Sequence, residues 1–269
     1  MTRIVVLTGS ELRHDYFRLK MAMDSRFEVA ASFCEGQEKS LLNRTLDQAD
    51  SSKLQLRHAL ARQQSEDDLF GEIVKFLPDH SHSTKIPKGS INDQEIVEKI
   101  EGSNADLLVC YGSSLIASSL LQSYKDRFLN VHLGISPYYR GSGTNIWPLI
   151  NNEPDKVGAT FMYLNDGIDT GEIIHQVRAD IHYGDTPHSI GNRLIKKMTR
   201  VYADIVANFA ILEKMPQPKA DGKLYRRRDF TEAACLKLYD QFQSGIIEEY
   251  LDRSRPDKRS PIIENTCFG

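Results

Sequence analysis

Four short apolar runs, each closing on a glycine or a polar side chain, constrain this chain more than any other feature. They are Ile4–Leu7 before Gly9, Phe27–Phe33, Leu107–Tyr111 before Gly112, and Phe128–His132. Runs of this length, apolar without alternation and bounded by turn residues, read as strands buried on both faces, as in a parallel sheet. Between the first two runs, Leu12, Tyr16, Leu19 and Met23 recur at helical spacing. Strand, helix, strand is therefore the opening unit, and parallel strands joined by right-handed crossovers follow from it.

The remainder fits the same scheme. From Glu35 to about Pro78 the chain is polar, and Leu54, Leu60, Leu69, Ile73 and Phe76 suggest one or two surface helices, with Ser65-Glu66-Asp67-Asp68 as a helix start. Asn92 reads as the N-cap of a helix running to Ile100, with Glu95 as the capping-box acid. Short helices are expected at Leu115–Leu121 and Ile146–Ile150, and strands at Gly158–Leu164 and Glu172–Val177. Asp185-Thr186-Pro187 introduces a long amphipathic helix over Ser189–Leu212. Met215-Pro216-Gln217-Pro218 then punctuates the chain. The expectation is a doubly wound, mainly parallel α/β domain over 1–215 with a small, mainly helical appendage over 216–269, its tail from Asp252 loosely held.

Composition narrows the classes of partner. The 269 residues are 40% hydrophobic and 26% charged, with a formal net charge of −3. That balance offers no broad attraction to a polyanion, so a nucleic-acid partner is not expected. Lys196-Lys197 reads as a solvated face; Arg226-Arg227-Arg228 reads as a solvated basic turn, with an acceptor diphosphate as the alternative. No apolar run is long enough for a membrane span or a signal-peptide core. Cys34, Cys110, Cys235 and Cys267 are scattered without a paired spacing, as reduced thiols of a cytoplasmic protein would be. His80-Ser81-His82 lacks further ligands and reads as solvent-exposed, so no metal is expected.

Chemistry concentrates at the end of the fourth run. Asn130 and His132 are two apart on one strand and so point the same way. In open α/β sheets ligands sit at the carboxyl ends of the strands, and a polar pair there needs a partner, structural or substrate. Asp169 lies in a glycine-flanked loop between two strands, where a ligand can approach the backbone closely. In order, Asn130-x-His132, Pro137-x-Tyr139-Arg140-Gly141 and Asp169-x-Gly171-x-Ile173 resemble the formyltransferase family that uses 10-formyltetrahydrofolate. The resemblance covers roughly residues 85–212 well and the first strand weakly.

That resemblance implies a Rossmann-like formyltransferase fold, a transferase activity and 10-formyltetrahydrofolate as co-substrate. It implies that Asn130 holds the formyl oxygen, that His132 polarises the same centre and shuttles a proton, and that Asp169 orients the imidazole and helps remove the amine proton. It implies a folate site at Tyr111, Gly112, Leu115, Ile116, Asn165, Asp166 and Gly167, and an acceptor side at Tyr139, Arg140 and Gly141. Gly9 and Ser10 read either as an acceptor-phosphate cradle assisted by Arg13 or His14, or as a plain strand-to-helix turn. Leu133-Gly134-Ile135-Ser136 departs from the family's usual Pro-Ser-Leu-Leu on the acceptor side.

The short, helical region after residue 216 and the acidic balance favour a small amine, most simply a nucleotide-linked amino sugar, as in the sugar N-formyltransferases. The alternatives are methionyl-tRNA formylation or another acceptor, hydrolysis of 10-formyltetrahydrofolate by water at the same site, and, in a different class, a folate-binding protein without turnover. Leu236, Leu238, Phe242 and Ile246 either pack inside the molecule or form the face of a homodimer.

Overall fold

The computed structural model describes residues 1–36, 40–48, 52–220, 222–253 and 259–268. Its strands are β1 (Thr2–Thr8), β2 (Phe27–Glu35), β3 (Ser83–Ile86), β4 (Leu107–Tyr111), β5 (Phe128–His132), β6 (Tyr139–Gly141), β7 (Gly158–Tyr163), β8 (Ile173–Arg178) and β9 (Lys223–Tyr225). The helices are α1 (Leu12–Ala22), α2 (Leu41–Asp47), α3 (Lys53–Glu66), α4 (Glu72–Phe76), α5 (Gln94–Gly102), α6 (Ser118–Ser123), α7 (Trp147–Ile150), α8 (Pro187–Ala207), α9 (Glu232–Gln243) and α10 (Ile246–Arg253).

Seven strands form one sheet in the order β3-β2-β1-β4-β5-β7-β8. The first five in that order are parallel, and β7 is antiparallel to both β5 and β8. The architecture is the doubly wound, mainly parallel α/β arrangement expected. Alternation along β1 divides the core into two layers: Ile4 and Val6 face one side, Val5 and Leu7 the other, all fully buried. On the first side α1 and α8 supply Phe17, Met21, Leu194, Met198 and Tyr202; on the second α5 and α6 supply Ile96, Ile100 and Leu120. Thr186 caps α8 by accepting from Ser189 N at 3.1 Å, while Ser189 Oγ accepts from Thr186 N at 2.9 Å, with Pro187 in the first turn.

Two expected helix starts are corrected. Asn92 does not cap α5; Asp93 is the N-cap residue, and the Asn92 side chain instead ties down the 115–117 loop, donating to Leu115 O at 2.9 Å and accepting from Ala117 N at 2.7 Å. Ser65-Glu66-Asp67-Asp68 is not a start either. The start lies at Ser52, in a capping box with Gln55, and the helix runs through a π-type turn at Asp67–Gly71 into α4. The acidic run misleads because Glu66 turns inward to two arginines instead of meeting a helix dipole.

The segment from 216 onward meets the preceding layers at several points. β9 pairs in parallel with β6, and Met215 bridges Ile173. Tyr225 stacks on Trp147 with centroids 4.3 Å apart. Leu238, Ile246 and Ile247 join the larger core, whereas Leu236 is exposed and Phe242 half-buried. The tail is a further correction. Residues 254–258 lie outside the described residues, but Ser260, Ile263 and Asn265 are hydrogen-bonded to Asp155, Gln176 and His175. No helix among the described residues is long and apolar enough to cross a membrane.

Candidate active site

The carboxyl ends of β4 and β5 open onto a cleft of about 1180 Å³. Asn130 and His132 from β5 and Asp169 from the β7–β8 loop all line it. The Asn130 amide makes no side-chain hydrogen bond among the described residues, so its donors remain free for a ligand.

His132 is 7% exposed and held from two sides. Its Nε2 lies 2.9 Å from Tyr139 O and its Nδ1 lies 3.2 Å from Asp169 Oδ2. Both ring nitrogens thus face acceptors, which fixes the orientation of the ring. Gly134 permits this placement: a methyl group on it would lie 2.6 Å from His132 Nε2 and 2.8 Å from Tyr139 O. The glycine in Leu133-Gly134-Ile135-Ser136 is therefore a requirement of the histidine's seat.

Asp169 is placed by backbone geometry and by partners. Its φ of +53° is left-handed, a conformation that costs a non-glycine residue about 1–2 kcal/mol and that Asp tolerates better than most. The Asn165 side chain shapes the loop before it, accepting from Gly167 N at 3.0 Å and Thr170 Oγ1 at 2.9 Å. Gly141 N donates to Asp169 Oδ2 at 2.8 Å. Gln217 Nε2 donates to Asp169 O and to Gly171 O, both at 2.9 Å.

The expected folate residues Tyr111, Gly112, Leu115, Ile116, Asn165, Asp166 and Gly167 all line the cleft. Burial pushes the Tyr111 phenol up to about 12, and its hydroxyl has no hydrogen-bond partner among the described residues. The expected acceptor residues divide. Gly141 lines the cleft, but the Tyr139 side chain points away to Glu153 and Asn151, and Arg140 is outside the lining. Gly9 and Ser10 are also outside it. There His14 occupies the turn, its Nδ1 accepting from Glu11 N at 3.1 Å and its ring packed against Gly112. Burial, and then the nearby arginines Arg13, Arg18 and Arg62, hold His14 well below the usual histidine range. Arg13 does not stand ready for a phosphate but pairs with Glu11 and Glu66.

The other end of the cleft is walled by α3, the start of α8 and residues 226–230. His58 and His188 meet there with ring centroids 4.7 Å apart, beside Phe230. Burial is the main cause that pushes His58 down to about 3 and His188 to about 4, with Arg62 adding to both. Arg226, Arg227 and Arg228 are exposed and line the mouth. Sequence reasoning missed the roles of Glu66, His58, His188 and Gln217. No local pattern marks them, because each acts on a partner distant in sequence. His80 and His82 are exposed, and among the described residues no group of three or more His, Cys, Asp or Glu is placed to hold a metal.

Residues 3–206 match the family model described as Formyl transferase. The chain is similar to the methionyl-tRNA formyltransferase of Alkaliphilus oremlandii, 26% identical over 66% of this chain and 50% of that protein. Matches to the first curated relatives span from a third to a half of their length. Among solved structures it resembles phosphoribosylglycinamide formyltransferase from Anaplasma phagocytophilum (TM-score 0.55, 15% identity, covering 84% of this chain and 98% of that one). It also resembles the N-formyltransferase from Helicobacter canadensis, a complex with folinic acid and dTDP-3-aminofucose (TM-score 0.54, 17% identity, 93% and 82%). At these identities the structural likeness concerns the fold.

Proposed function

This chain belongs to the formyl transferase family, and from that premise we propose that it moves a formyl group from 10-formyltetrahydrofolate to a primary amine carried by a nucleotide-linked amino sugar. The observation that carries the reading is the convergence of an uncommitted Asn130 amide with the His132–Asp169 pair in one cleft. In this reading the folate lies along residues 111–116 and 164–167, and supplies an activated formyl group.

The chain's own residues then have distinct tasks. The Asn130 amide donates to the formyl oxygen as negative charge builds there, a donor of the kind whose loss costs roughly 10²–10³ in rate. The His132–Asp169 pair takes the proton that the attacking amine loses and returns it to the departing folate nitrogen. One carbon–nitrogen bond forms, one breaks, and the proton passes between the two nitrogens. Gly141 N and Gln217 keep the carboxylate in place throughout.

A phosphorylated acceptor is supported by charge. Six arginines line the cleft, at 13, 44, 62 and 226–228, against the carboxylates Glu11, Glu66, Asp166 and Asp169. Glu11 and Glu66 pair with Arg13 and Arg62. Arg226 and Arg228 are exposed at the mouth of the cleft, where their guanidinium groups would meet a diphosphate.

A mass-spectrometric screen with 10-formyltetrahydrofolate and a panel of amines tests this. A gain of about 28 Da, the replacement of N–H by N–CHO in acyl transfer, is expected on a nucleotide-linked amino sugar and not on the free amino sugar. Formylation of charged initiator tRNA alone, or release of formate with no amine modified, would overturn the assignment.

A further inference from the structure

β8 reads Ile-Ile-His-Gln-Val-Arg, and its glutamine is a polar side chain only 1% exposed inside an apolar strand. Such a group is costly unless fully bonded. Gln176 is: its Nε2 donates to Ser136 O at 2.7 Å and to Thr160 Oγ1 at 2.9 Å, and its Oε1 accepts from Ile263 N at 2.9 Å. A carbonyl can only accept and a backbone N–H can only donate, so these partners admit one orientation of the amide. Gln176 N donates to Ile263 O at 2.7 Å, doubling the link to the tail.

The other end of the network reaches the histidine. Thr160, fully buried, donates from Oγ1 to Gly134 O at 2.7 Å and accepts from Ser136 N at 2.9 Å. Gly134 and Ser136 flank Ile135, whose carbonyl accepts from Tyr139 N at 3.1 Å. Tyr139 O is the acceptor at His132 Nε2. We propose that Gln176 is a positioning residue for His132, and that the tail segment 259–268, lying on β8, holds the Gln176 amide in the orientation this requires. Every polar atom of the two side chains is used within the network, so freeing the Gln176 carbonyl releases the loop that carries the Tyr139 acceptor. A role in turnover rests on the proposed formyl transfer; the effect on the imidazole does not.

The test therefore reads the imidazole directly. With ¹⁵N-histidine in the full chain, the His132 Nε2–H resonance is identified by its loss in His132→Gln, and its solvent exchange is measured. Gln176→Leu removes the amide at similar volume, Ile263→Pro removes one tail N–H, and Thr160→Ser keeps the hydroxyl. Gln176→Leu and Ile263→Pro are each expected to speed exchange roughly tenfold, and the double variant no further than Gln176→Leu alone, as for members of one network. Thr160→Ser is expected to stay near wild type. Unchanged exchange in a folded Ile263→Pro protein, or additive effects in the double variant, would overturn the proposal. Faster exchange in a protein that formylates no amine would uphold the brace and sink the proposed function.

Discussion

At the scale of single residues, Gly134 and Asp169 show how much of the site is set by backbone. The bare Cα of Gly134 sits against His132, Tyr139 O and Thr144, and any side chain there must push the imidazole or the loop aside. Gly134→Ala is expected to cost about 1–3 kcal/mol in denaturant stability, the usual range for overpacking, and to lower turnover through a displaced histidine. Wild-type stability and turnover in the alanine variant would contradict this seat. The meeting of Asn130, His132 and Asp169 in one cleft was legible because their order and spacing form a recognisable pattern. Gln217 was not: in Met215-Pro216-Gln217-Pro218 it read as part of a break in the chain, and its bonds to Asp169 O and Gly171 O cross more than 40 residues.

At the scale of elements, α3, α8 and α9 enclose a pair of neutral histidines. His58 Nδ1 lies 3.1 Å from Tyr239 Oη, and His188 Nε2 is buried with no hydrogen-bond partner among the described residues. Below about pH 6.5 both imidazoles protonate in the unfolded chain, whereas in the folded chain they resist until about 3 and about 4. The unfolded state then binds more protons, so this contribution is intact above about pH 6.5 and is lost as pH falls toward 4. His14 acts in the same direction. A plot of unfolding free energy against pH is expected to fall across that interval, and His58→Phe to flatten it. An equally steep acid limb in His58→Phe would show that the pair does not contribute. These helices were legible as periodic segments; their ends were less so. Asn92 and the acidic run at 65–68 carry cap-like residue types, yet their side chains serve contacts distant in sequence.

At the scale of the whole molecule, the strand runs marked the parallel sheet, because strands covered on both faces need no alternation and so leave an unmistakable signal. The antiparallel placement of β7 and β8 beside β5 brings the Asp169 loop across to His132. The far C-terminal region was the least legible. Its contacts with β6, β8 and Trp147 depend on pairing and stacking between residues 78 or more apart, which no local pattern encodes. We propose that the His132–Asp169 pair performs proton transfer during formyl transfer. That role is tested most directly by measuring tetrahydrofolate formation at saturating acceptor, alongside the folate dissociation constant, in His132→Gln and Asp169→Asn. Asn tolerates the left-handed conformation of residue 169 and can still accept from Gly141 N, so the loop is expected to persist. Turnover is expected to fall roughly 10²-fold or more in each variant, with folate affinity changed by less than about threefold. Near-normal turnover in both variants, with folate still bound, would contradict it.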